Sequence, residues 1–141
     1  MKLVSDLMTR ELLTLTPSQT LADAEQAMGQ HQIRHIPVVN DDGTLAGLLS
    51  QKEFLTQAFR ITDKFGAHNL QSYLAKTPLS QCMNATPTTV AQNMPLVDAG
   101  RHLRQGRHGC LLVTDDQQQL IGLLTSQDFV RLAVLLLEKE G

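Results

Sequence analysis

The chain has 141 residues, of which 42% are hydrophobic and 18% charged, and its formal net charge is −2 at pH 7. That size suits one compact domain or two small halves sharing a core, and the balance is that of a folded rather than a disordered protein. With so little net charge there is no global field to attract nucleic acid or an anionic membrane, so neither is expected as a partner. The longest apolar run, Leu132 to Leu137, is too short to span a bilayer, and Met1 to Asp6 lacks the apolar run of a signal peptide. A cytoplasmic location is therefore expected. Cys82 and Cys110 show no metal-type spacing, which favours reduced thiols over a disulfide.

Taken in order, Leu12 to Leu15 reads as a short strand that ends at Thr16 and Pro17. Thr20 with Asp23 has the spacing of an N-cap and its third-position carboxylate, opening a helix that carries Leu21, Ala24, Ala27 and Met28 on one face. His35 to Val39 is a second strand. Asp41, Asp42 and Gly43 supply a hairpin turn, and Leu45 to Leu49 returns antiparallel. A helix then starts at Ser50 and carries Phe54, Leu55 and Ala58. Arg60 to Pro78 reads as a polar connector with a short helix marked by Leu70, Tyr73 and Leu74.

The order then repeats. Gly122 minus Gly47 gives an offset of 75, which aligns residues 4–59 with 79–134 without a gap, matching Ser5 with Ser80, Met8 with Met83, Asp23 with Asp98 and Val38 with Val113. A unit of about 55 residues buries too little surface to be comfortable alone, so two are expected to share a core. The second copy has softer punctuation: Pro95 stands for Thr20, and Gln117 to Gln119 replace the glycine turn, which predicts a looser hairpin. The organisation expected is a first motif over 4–59, a connector over 60–78 and a second motif over 79–137. Val130 to Leu137 is apolar on more sides than one core requires, which points to a second surface, a copy of the chain in a homodimer.

Both copies close on glycine, two leucines, a hydroxyl residue and, three positions later, an acid: Gly47 to Glu53 and Gly122 to Asp128. Together with the strand Arg34, His35, Ile36, Pro37, Val38, Val39, this pattern resembles the CBS domain, in two tandem motifs covering nearly the whole chain. The resemblance implies an α/β (α+β) fold in which each motif runs strand, helix, strand, strand, helix. It further implies pseudo-twofold pairing with two clefts between the motifs. Its members commonly bind adenine nucleotides or related adenosyl ligands and act as regulatory sensors, so AMP, ADP, ATP or S-adenosylmethionine become possible ligands and a regulated protein a possible partner. No cofactor is required, no residue is assigned a catalytic role and no metal site is expected.

The resemblance assigns phosphate and ribose contacts to Thr125 and Asp128, and a phosphate-facing basic pair to Arg34 and His35. A helix N-terminus suits a phosphate, and a carboxylate accepts from both ribose hydroxyls. In the first motif the equivalents are Ser50 and Glu53, the latter one methylene longer than the usual aspartate. In the second motif Gly109 and Cys110 stand where the basic pair would be, with Arg107 and His108 set back by two. The Asp128 cleft, with Thr16 from the opposite unit nearby, is therefore expected to hold adenosine, and the Glu53 cleft to bind weakly or stand empty. Beside this stands a plainer reading in which Ser50 with Glu53 and Thr125 with Asp128 are helix caps worth about 1 kcal/mol each. The alternative function is a ligand-free dimerisation or scaffold module.

Overall fold

The computed structural model describes residues 2–106 and 109–140. It divides into two compact units, Leu13–Pro87 in one, and Met1–Leu12 with Thr88–Gly141 in the other. The fold is a mixture of helix and strand in which the repeat is visible element by element.

In the unit Leu13–Pro87, α2 (Leu21–His31) opens with the expected capping box. The Asp23 N–H donates to Thr20 Oγ1 at 3.3 Å and the Thr20 N–H donates to Asp23 Oδ2 at 2.9 Å. Its buried residues are Leu21, Ala24, Ala27 and Met28, the face that the spacing marks. β1 (His35–Val39) pairs antiparallel with β2 (Leu45–Ser50), with an irregularity at Val38/Val39. The turn between them uses Gly43 at φ +86°, a left-handed conformation that glycine takes without cost. The expected strand at Leu12 to Leu15 contracts to a single parallel bridge between Leu15 and Val38. Only two backbone bonds hold it, since Pro17 follows at once and cannot donate to a ladder.

The segment read as a polar connector belongs to the core. α3 (Gln51–Phe65) runs well beyond the first motif, and α4 (Leu70–Leu74) folds back against it. Ile61, Leu74 and Leu79 are buried with Leu21, Ile36, Leu49 and Phe54, and the rings of Phe65 and Tyr73 stack with centroids 3.9 Å apart. The segment's large apolar residues, Ile61, Phe65, Leu70, Tyr73 and Leu74, all lie in or against this core, so a polar average conceals a structural role.

The other unit begins with α1 (Val4–Leu7). It continues through β3 (Thr89–Val90), α5 (Leu96–Gln105), β4 (Cys110–Thr114), β5 (Leu120–Thr125) and α6 (Ser126–Glu140). β3 lies parallel to β4, and β4 antiparallel to β5, with the irregularity at Val113/Thr114, the repeat equivalent of Val38/Val39. Pro95 caps α5 without a side-chain bond. The hairpin expected to be looser is tight. Gln118 takes φ +65° at the position of Gly43, and Asp115 Oδ1 accepts from the N–H groups of Gln117 at 2.9 Å and Gln119 at 3.0 Å. An aspartate turn thus supplies what the missing glycine does not.

The leading segments of the two repeats are exchanged. Thr9 bridges to Leu123, its N–H donating to the Leu123 carbonyl at 2.8 Å and its carbonyl accepting from the Leu123 N–H at 3.0 Å. Asn84 and Leu48 make the same reciprocal pair at 2.8 and 3.0 Å. Since 9 + 75 = 84 and 48 + 75 = 123, these are equivalent contacts, each joining the start of one repeat to the last strand of the other. The exchange explains the repeated glycine. A Cβ on Gly122 would overlap Met8 Sδ, and one on Gly47 would lie 2.7 Å from both the Asn84 carbonyl oxygen and Met83 Sδ. Met8 and Met28 are buried, and Met83 and Met94 pack beside the cores, all as apolar filler.

Candidate functional site

The turn from β5 into α6 places Thr125 at the start of a 15-residue helix and Asp128 one turn along. The Thr125 N–H donates to Asp128 Oδ2 at 2.7 Å, with the Thr125 hydroxyl at 3.4 Å from the same oxygen. This satisfies a backbone donor ahead of the first turn and places negative charge at the positive end of the helix dipole. Such a cap is not distinctive, because Thr20 with Asp23 makes one too.

What distinguishes Asp128 is its surroundings. It is 3% exposed and is the one buried charged side chain among the described residues. Its Oδ1 accepts from Arg131 Nη2 at 2.6 Å and from the Thr9 hydroxyl at 3.4 Å. Cys110 pairs with Thr125 across the hairpin, and burial together with the Asp128 charge pushes its thiol up to about 12. A thiol so protonated at neutral pH is a small apolar residue and no nucleophile. Cys82 is half-buried, its thiol is also raised by burial, and both cysteines are free.

The other unit brings together Arg34, His35, Ser50 and Glu53. His35 pairs with Ser50 across β1 and β2, and the Gln51 N–H donates to the Arg34 carbonyl at 2.8 Å. Ser50 and Glu53 form a complete capping box. The Glu53 N–H donates to Ser50 Oγ at 3.3 Å, and the Ser50 N–H donates to Glu53 Oε2 at 2.9 Å. The extra methylene of Glu53 is taken up by this fold-back, and the carboxylate stays half-buried. Thr16 lies in the same unit, in a local turn where its N–H donates to Gln19 Oε1 at 2.9 Å and its hydroxyl lies 3.4 Å from that of Ser18. Arg34 is exposed, and His35 is half-buried.

His35 titrates below its ordinary value of 6.5, first because burial disfavours the charged ring and second because Arg34 repels it. The unfolded chain therefore binds more protons than the folded one in the range below 6.5, so stability falls as the pH drops through that value and stops falling below the folded pKa. Urea unfolding of the protein and of His35→Gln from pH 7.5 down to about 5 checks this. The variant is expected to lose less stability on acidification, and identical slopes would contradict the assignment.

Arg107 and His108, the basic pair set back from the second strand, lie outside the described residues. Of their neighbours, Arg101 pairs with Asp98 at 3.4 Å on the exposed face of α5. Among the described residues no group of three or more His, Cys, Asp or Glu is placed to hold a metal ion, and no helix is long and apolar enough to cross a membrane. Two residues at Asp128 escaped the sequence reading. Arg131 carries a readable signal, a cation three positions after an acid on a helix. Thr9 carries none, since it reaches Asp128 through the exchanged segment.

Comparison with known proteins gives a consistent picture. The CBS domain model matches the chain twice, over residues 4–59 and 79–135. A CBS domain-containing protein of Dictyostelium discoideum is 30% identical over 139 residues, covering 96% of this chain and 94% of that protein. The CBS domain-containing protein YhcV of Bacillus subtilis is 32% identical over 128 residues, covering 91% and 83%. Among solved structures, that of CBSX2, a protein of Arabidopsis thaliana, in complex with AMP superposes with a TM-score of 0.79 at 28% identity, covering 95% of this chain and 97% of that one.

Proposed function

We propose that this chain, which belongs to the CBS domain family, is a regulatory module that binds an adenine nucleotide or a related adenosyl ligand and carries out no catalysis. The observation that carries the reading is Asp128, a buried carboxylate at the N-terminus of α6 beside a threonine. It offers ribose an acceptor stronger than any neutral group, and the helix end favours a phosphate. The AMP in the CBSX2 structure supports the same ligand class. In this reading Thr125 and Asp128 address the adenosine part and its first phosphate, while Arg34, His35, Ser50 and Glu53 form a weaker equivalent. Ligand acts by preferring one arrangement of the protein over another, which a regulated partner reads.

The exposed residues Val130, Val134 and Leu137 form an i, i+4, i+7 stripe on α6. Leu96, Val97, Phe129 and Leu132 line a groove of about 470 Å3 in the same unit. These favour a homodimer, and they also favour the second reading, a scaffold indifferent to nucleotides. A thermal-shift titration with AMP, ADP, ATP and S-adenosylmethionine separates the two. A ligand at 100 times its dissociation constant adds about 2.7 kcal/mol, a readily visible rise in Tm. One selective shift is the expected result. No shift with any of the four, from a protein that light scattering shows to be dimeric, would favour the scaffold.

A further inference from the structure

We propose that Arg131 is an intramolecular stand-in for the ribose diol, a guanidinium that competes for the Asp128 carboxylate and so weakens its hold on an adenosyl ligand. The inference rests on the reading above that Asp128 receives ribose. A carboxylate has about four acceptor sites, two on each oxygen. All are taken: Thr125 supplies its N–H and hydroxyl to Oδ2, and Arg131 and Thr9 supply donors to Oδ1. A ribose diol competes with these donors, and they differ in how strongly they hold the carboxylate. The Thr125 N–H is fixed by the backbone, and the two hydroxyls, both 3.4 Å away, are long contacts that turn aside easily. The 2.6 Å bond from Arg131 is short and charge-assisted, and it comes from a side chain 60% exposed, so it is both the strongest competitor and the one free to move into water.

Among the described residues the other repeat has no such stand-in. The position equivalent to Arg131 is Thr56, since 131 − 75 = 56, and its hydroxyl donates to the Lys52 carbonyl at 2.9 Å. Glu53 makes no ion pair among the described residues. The two acids therefore differ in what a ligand competes with, and Arg131 lowers the preference of its site for a ligand with a diol over one without.

Adenosine isolates the effect because it carries the diol and no phosphate. Calorimetric titration of adenosine into the protein and into Arg131→Met, which keeps the stem and loses the donors, is expected to show about fivefold or greater tightening in the variant. The affinity for 2′,3′-dideoxyadenosine is expected to stay the same, a contrast that a merely structural role of Arg131 would not produce. In the unmodified protein, raising salt from about 50 to about 500 mM weakens the ion pair and is expected to tighten adenosine binding. Unchanged or weaker adenosine binding in Arg131→Met, while Asp128→Ala abolishes it, would overturn the stand-in and leave the ribose site intact. Adenosine affinity untouched by Asp128→Ala would remove the ribose site, and the stand-in with it.

Discussion

Leu74→Ala is expected to lower the stability of the protein by about 3 kcal/mol, the cost of deleting a fully buried leucine that its neighbours cannot close over. Leu74 has no exposed surface and sits in one cluster with Leu21, Ile36, Leu49, Ile61 and Leu79. α4, only five residues long, cannot be stable by itself, so its place depends on this contact. Were Arg60 to Pro78 a tether, the substitution would cost less than about 0.5 kcal/mol, as surface changes do. Urea unfolding distinguishes the two outcomes, with Gln71→Ala, on the exposed side of the same helix, as the control.

The second large effect lies at the repeated glycine. Gly47→Ala is expected to cost about 2–3 kcal/mol and Gly122→Ala about 1 kcal/mol, although the two positions are equivalent in sequence. At Gly47 the added methyl meets the Asn84 carbonyl oxygen, which accepts the Leu48 N–H at 3.0 Å and cannot withdraw without breaking that bond. At Gly122 it meets the thioether of Met8, a flexible chain that can swing away. Denaturation midpoints of the two variants give the order directly. Equal losses, or a larger loss at Gly122, would contradict the exchanged packing of the leading segments.

Much of this fold is legible in the chain because local signals and packing agree. The capping pair Thr20 and Asp23, the four buried residues of α2 and the first hairpin follow from spacing and turn chemistry alone, and the 75-residue repeat places the second copy from the first. The exchange of leading segments is not legible, because Met8 and Met83 read the same whether each packs on its own repeat or on the other. Gln118 misleads for a different reason. A positive φ is forecast from glycine, and here an aspartate three positions earlier accepts from the N–H groups on either side of Gln118 and holds it there. At the candidate site the two caps are visible in the sequence, whereas the difference between a half-buried Glu53 and a buried, ion-paired Asp128 is a property of the packed molecule. It depends on Thr9, far away in the chain, and on Arg131, whose meaning appears only once the carboxylate is known to face inward.

Titration calorimetry of AMP against the protein and against Asp128→Ala tests the ligand assignment most directly. Circular dichroism serves to show that the variant is folded at the working temperature despite losing its cap and ion pair. Loss of the charged acceptor is expected to weaken AMP by about tenfold or more, in keeping with hydrogen bonds to a charged group. A folded Asp128→Ala protein that binds AMP as tightly as the unmodified chain would contradict the assignment.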